Sequence, residues 1–151
     1  MRQDPRQPPI VLGWREWVAL PQLGLPAIRA KVDTGARSSA LHVDAMETFQ
    51  RDGREWVRFG IHPGDGRPEA AGEAVVLDRR DVTDSGGHRT RRVFIRTRLE
   101  LAGVSRLIDI NLTNRRNMLF PMLLGRTAMA RAFRVDPSLS FVHGHPPEPL
   151  A

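Results

Sequence analysis

The chain contains no cysteine, so it can build no disulfide framework and offers no thiolate as nucleophile or metal ligand. It has no apolar run near the ~18 residues that a membrane-crossing helix requires. Its first residues, Met1-Arg2-Gln3-Asp4-Pro5, lack the apolar centre of a secretion signal. These absences fit a cytoplasmic protein. No His-Glu-x-x-His occurs, which excludes the usual zinc-peptidase helix, and no Gly-x-x-x-x-Gly-Lys-Ser/Thr occurs, which excludes a nucleotide phosphate loop. The histidines are His42, His62, His88, His143 and His145. Of these only His143 and His145 are closely spaced, in a proline-rich tail, and they read as surface residues. No metal site and no cofactor is expected. Aromatic residues make up 6% of the chain, few for stacking bases, and no nucleic-acid-binding motif is present. Lysine is almost missing too: Lys31 is the single one, and the net charge of +6 is carried by arginine. Arginine used so uniformly reads as genome composition, although a basic chain is still drawn to polyanions such as nucleic acid, anionic lipid or acidic polypeptide.

What is present suits one folded domain: 151 residues, 40% hydrophobic and 26% charged. Pro5, Pro8 and Pro9 mark residues 1–9 as a flexible arm, residues 10–142 form the domain, and residues 143–151 form a fraying tail. Alternation or apolar content predicts strands at Ile10 to Leu20, Ala27 to Val32, Ser38 to Val43, Trp56 to Ile61, Val93 to Leu101 and Leu107 to Leu112. A further short strand is expected at Phe141-Val142. Residues 21–26 read as a turn, Ala45 to Gln50 as a helical turn or irregular link, and residues 62–72 as a loop. The polar stretch 79–92 around Ser85-Gly86-Gly87 reads as an exposed hairpin tip. Met118 to Leu124 is an apolar run broken by Pro121, and Gly125 to Phe133 suits a short helix. Many short strands with one late helix make an all-β domain, a small barrel or sandwich.

Ile28, Ala30 and Val32 alternate with Arg29, Lys31 and Asp33, and the run ends in Asp33-Thr34-Gly35-Ala36. The pattern places a carboxylate at the mouth of a half-buried strand, where the glycine lets the backbone turn sharply. Asp-Thr-Gly alone is a weak signal. It gains weight from Leu123-Leu124-Gly125-Arg126, with a hairpin tip between the two motifs and a short helix after them. The pairing resembles the retropepsin-like aspartic peptidases. The longer string Lys31-Val32-Asp33-Thr34-Gly35-Ala36-Arg37-Ser38-Ser39-Ala40-Leu41-His42, followed by Trp56-Val57-Arg58-Phe59, resembles a bacterial family labelled an ATP-dependent zinc protease, whose fold is retropepsin-like despite the label.

The resemblance implies a closed β-barrel of the acid-protease fold with one short C-terminal helix. It implies a homodimer in which Asp33 of each copy forms a dyad that shares one proton and activates water. Thr34 would tie the two loops together, and Gly35 would let the backbones pass. Leu123, Leu124 and Gly125, with Ala36 and Arg126, would support the active loop, and Asp84-Ser85-Gly86-Gly87 would form a flap over the cleft. A functional link to ATP-grasp ligases that add glutamate to a ribosomal protein belongs to the same resemblance.

Asp84-Ser85-Gly86 also fits the aspartic-peptidase tripeptide. A second lobe would need about twice this length, however, and Asp84 lacks a preceding apolar strand, so the flap reading is preferred. Two departures from the retropepsin pattern add charge. Lys31 stands where an apolar residue is usual, two before Asp33 and so on the same strand face, where it would look into the cleft. Its alternative role is to pair with a structural carboxylate. Arg37 stands where an aspartate is usual, which leaves Arg126 without that acidic partner. Lys31 and Arg37 are therefore the candidate substrate-binding cations, and the expected substrate is an acidic or glutamate-rich polypeptide. The competing reading is a catalytically inactive dimeric binding module on the same fold, since a cation beside a carboxylate favours its charged form and disturbs proton sharing.

Overall fold

The computed structural model describes residues 7–64, 66–114 and 119–144. The strands in chain order are β1 (Ile10–Leu12), β2 (Arg15–Leu20), β3 (Leu25–Asp33), β4 (Ser39–His42), β5 (Met46–Arg51), β6 (Arg54–Ile61), β7 (Ala70–Val75), β8 (Asp78–Thr83), β9 (Arg89–Leu101), β10 (Val104–Thr113), β11 (Met122–Gly125) and β12 (Phe133–Val135). One helical turn, α1 (Arg126–Met129), follows β11, and a 3-10 turn spans Pro21–Leu23.

The main sheet runs β10-β4-β11-β3-β2-β9-β8, and β9 also pairs with β10, so hydrogen bonding closes a barrel. Alternation dictates the barrel's inside: Ile28, Ala30 and Val32 of β3 point to the core while Arg29 and Lys31 point out. Leu20, Ile95, Leu99, Ile110, Leu112, Met122 and Leu124 fill the interior, each almost wholly removed from water. Burying side chains of this size contributes about 1.5–3 kcal/mol apiece. β8 and β9 extend beyond the barrel as a hairpin, and β5, β6 and β7 form a separate antiparallel sheet. His62 bridges Asp44 and Glu69, with nitrogen to oxygen distances of 2.9 and 3.2 Å, where this sheet meets the barrel.

Several local expectations are corrected. Ala45 to Gln50 is not helical or irregular; β5 pairs with β6 across the tight turn Asp52-Gly53, both residues at positive φ. Its outward charges are matched across the strands by Arg58 with Glu47 and Glu73. The expected strand Ile10 to Leu20 divides at Gly13-Trp14, because the buried Glu16 carboxylate accepts the Gly13 N–H at 2.7 Å and bends the chain. The loop expected over residues 62–72 ends at Ala70, where β7 begins. The expected helix Gly125 to Phe133 stops after Met129: Arg131 turns at φ 71° and Phe133 enters β12, which pairs in parallel with β1. Phe141-Val142 forms no strand. Phe141 instead stacks on Trp17 with ring centroids 5.9 Å apart. Residues 1–6 of the arm and 145–151 of the tail lie outside the described residues.

Asp109 on β10 joins the hairpin to the barrel, accepting from Arg96 Nε at 2.8 Å and Arg80 Nη2 at 3.1 Å. Those two guanidiniums, Arg96 first, hold its carboxyl below the ordinary aspartate range. A depressed folded value means the contribution is complete above the unfolded pKa of about 3.9 and is lost as pH falls through the folded value. Asp109→Asn should therefore cost about 1 kcal/mol at pH 7 in urea unfolding. The gap from wild type should close as the measurement is repeated toward strongly acidic pH.

Candidate active site

β3 delivers Asp33 to the barrel's rim, half-exposed at the end of a strand whose alternate residues are buried. The turn is closed locally. Asp33 Oδ1 accepts the Gly35 N–H at 2.9 Å, and the Asp33 carbonyl accepts the Ala36 N–H at 3.3 Å. Residues 124–127 hold this loop from behind. β11 lies parallel to β3 with Leu124 beside Val32 and Gly125 beside Asp33. The Gly125 N–H donates to the buried Ser39 hydroxyl at 3.0 Å. The Arg126 N–H donates to the Ala36 carbonyl at 2.8 Å, and both the N–H and the hydroxyl of Thr127 donate to the Arg37 carbonyl, at 3.1 and 2.7 Å. The Arg126 guanidinium donates to the Gly35 carbonyl at 3.1 Å, so a backbone oxygen serves it in place of an acidic side chain. A Cβ on Gly125 would lie 2.5 Å from the Ser38 carbonyl group, so no side chain fits there.

Beside this loop lies a cavity of about 340 Å³ lined by Asp33, Ala36, Asn111, Leu123, Asp84 and Ser85. Asp33 and the hairpin tip thus face one space. At that tip Asp84 Oδ1 accepts the N–H groups of Gly86 and His88, both at 2.9 Å, and Gly87 turns at φ 84°. Asp84 closes its own turn. A larger groove of about 970 Å³ adjoins, lined by Arg37, Arg126, Arg80 and Arg96 together with Gly35 and Ala36, which border both spaces. Arg80 and Arg96 are satisfied by Asp78 and Asp109. Arg37 is exposed, with no carboxylate partner among the described residues.

Leu123, expected behind the loop with Leu124, lines the cavity instead, because successive strand residues face opposite sides; Leu124 is the one that packs behind. Lys31 is exposed on Asp33's face, in register with Leu123, but outside the residues that line the cavity. It has no carboxylate partner among the described residues. Thr34 is exposed at the loop's tip. Sequence reasoning missed Ser39 and Thr127, whose hydroxyls complete the clasp; nothing in their spacing sets them apart from other hydroxyl residues. Among the described residues no three of His, Cys, Asp and Glu stand together so as to hold a metal ion.

A loop of this build on a closed β-barrel has a match. A family profile described as retropepsin-like aspartic endopeptidase RimB covers residues 11–146. The chain belongs to the RimB-like retropepsin family. Among curated proteins it is 43% identical over 136 residues to a "Probable alpha-L-glutamate ligase" from Desulfotalea psychrophila, and 41% identical to one from Shewanella pealeana. Each match covers 89% of this chain but only 29% and 30% of the relative, so the chain spans under a third of those proteins. A crystal structure of a protein of unknown function (DUF785) from Legionella pneumophila superimposes with a TM-score of 0.75 at 29% identity, covering 88% of this chain and 97% of that one.

The clasp can be tested by filling the space at Gly125. Gly125→Ala should cost about 1–3 kcal/mol in urea unfolding and lower the hydrogen-exchange protection of the Arg126 amide. Gly60→Ala, where an added Cβ meets nothing within 4 Å, should stay within about 0.5 kcal/mol of wild type.

Proposed function

We propose that the chain is an aspartic-type endopeptidase that works as a homodimer, with Asp33 and its symmetry mate forming the dyad. The observation that carries this is a single Asp-Thr-Gly carboxylate per chain, held at the mouth of a cavity that a β-hairpin tip also borders. Two carboxylates brought close share one proton: one draws the proton from a water that attacks the peptide carbonyl, and the other protonates the departing amide. One chain supplies half of this, so a twofold axis supplies the rest. In this reading Thr34 ties the two loops together, Gly35 lets them pass, and residues 84–87 act as the flap. Membership in the RimB-like family supports the peptidase chemistry, and the cytoplasm is its place of work.

The substrate is an acidic, glutamate-rich polypeptide. Lys31 on the Asp33 face and Arg37 beside the loop lack carboxylate partners among the described residues, and twofold symmetry doubles both. The relatives named as glutamate ligases point the same way, and we place this chain in a functional partnership with a glutamate ligase of the ATP-grasp class. A second reading, a dimeric binding module without catalysis, is favoured by Lys31, since a cation near the dyad works against the shared proton.

Asp33→Asn should sediment as a dimer at micromolar concentration, keep the wild-type fold and cleave nothing, because a near-isosteric amide cannot share the proton. Chelators should leave the wild type unaffected. A cleaving monomer, or loss of activity on chelation alone, would overturn the dyad.

Charge preference is read from kcat/KM on paired peptides carrying Glu or Leu beside the cleaved bond. Each carboxylate contact is worth about 1.5–3 kcal/mol in a partly desolvated site, so Glu should win by roughly tenfold or more. Lys31→Leu should reverse the order. Equal rates in the wild type would make Lys31 and Arg37 structural.

A further inference from the structure

Among the described residues many arginines are held by carboxylates. Arg51 and Arg58 pair with Glu73, Arg79 with Glu55, Arg89 with Asp81 and Arg96 with Asp109. On the outer face of β2 and β3, aromatic rings take the place of carboxylates. The Arg15 guanidinium carbon lies 4.5 Å from the Trp14 ring centroid and 4.7 Å from that of Phe141. Lys31 stands directly across from Arg15 in the β2–β3 register, and among the described residues no carboxylate pairs with either.

These two cations continue the candidate active site. Arg15, Lys31, Leu123, Ala40 and Asn111 occupy one register row across adjacent strands, and the last three line the Asp33 cavity. At about 4.8 Å per strand, Lys31 stands one step and Arg15 two steps, about 10 Å, beyond Leu123. A guanidinium lying over a ring keeps its N–H donors directed along its own plane and has already lost side-chain freedom. It therefore grips a carboxylate at less entropic cost than a loose cation would.

We propose that the outer face of β2 and β3 is a docking track for an acidic stretch of the polypeptide substrate lying beyond the cleavage point. Arg15 and Lys31 receive its carboxylates, and Trp14 and Phe141 hold Arg15 in place. This rests on the peptidase reading above and adds reach to it: affinity rises with the length of the acidic run. Polypeptide is favoured over nucleic acid because the rings are already covered. Trp17 stacks on Phe141 and has Arg67 5.3 Å from its centroid, while Phe120 packs edge-on against Trp14 at 5.8 Å. Little aromatic face remains for a base to stack on.

The test uses the Asp33→Asn protein, which binds without cleaving. Fluorescent oligoglutamates of about three and about twelve residues are titrated, the longer one able to span cleft and track at ~3.3 Å per residue. Long oligoglutamine and oligothymidylate are titrated beside them. The long oligoglutamate should bind at least tenfold tighter than the short one and far tighter than oligoglutamine. Adding Arg15→Gln should remove about tenfold of the long peptide's affinity, the equivalent of about 1.4 kcal/mol, and shrink the long-to-short ratio. Arg15→Lys and Phe141→Leu should fall between, since one keeps the charge without the planar fork and the other removes one of the rings that pin it. Thermal melts check the fold of each variant.

Long-peptide binding that is equal in all three variants and in the parent would overturn the track while leaving the acidic-substrate reading intact. Failure of both oligoglutamates to bind would overturn the two together. Oligothymidylate binding tighter than oligoglutamate, and lost with Arg15→Gln, would overturn the track as a polypeptide site and make it a nucleic-acid surface.

Discussion

The contact on which the site depends is the clasp between residues 124–127 and the loop that follows Asp33. It combines backbone pairs with the Ser39 and Thr127 hydroxyls and the Arg126 guanidinium, and all of them depend on how closely two strands approach. Gly125 permits that approach, since a Cβ there would overlap the Ser38 carbonyl. Once the strands meet, the carbonyls of Gly35, Ala36 and Arg37 are all taken by donors from Arg126 and Thr127. Each such bond nets only about 1 kcal/mol, but a loop with its carbonyls satisfied has few alternative conformations. The Asp33 carboxylate, which accepts the Gly35 N–H, is thereby held in place with no salt-bridge partner among the described residues.

The barrel supplies the rigidity behind this clasp. β11 inserts between β3 and β4, parallel to the first and antiparallel to the second. Val32 and Leu124 face the packed interior on one side of these strands, and Leu123 and Ala40 face the cavity on the other. The same alternation that buries a core thus prepares a cleft floor. The β8–β9 hairpin that borders the cleft is tied down at its base by Arg80, Arg96 and Asp109, whereas its tip is held mainly by Asp84 folding back on its own backbone.

Charge is distributed with equal consequence. A chain this rich in arginine could have spread its positive field evenly. Instead most arginines of the hairpin and the small sheet are matched by acidic neighbours, while Lys31, Arg37 and the ring-held Arg15 near the Asp33 loop have no carboxylate partner among the described residues. The matching relatives named as glutamate ligases share this domain over under a third of their own length.

By itself the sequence determined the all-β class of fold and the strand that carries Asp33, because those features rest on periodicity and on adjacent residues; the partner motif at Leu123 to Arg126 was legible only through the family resemblance. It misjudged elements whose state depends on distant neighbours. Met46–Arg51 is a strand because β6 offers it a partner; Phe133 leaves the helix because β1 offers it an edge; and Phe141 stacks on Trp17 rather than entering a sheet. The tertiary structure also decided which face Leu123 takes, which hydroxyls close the clasp, and that rings rather than carboxylates hold Arg15. Apart from the neighbouring Trp14, these are contacts between residues far apart in the chain, set by packing and register, and local composition carries no record of them.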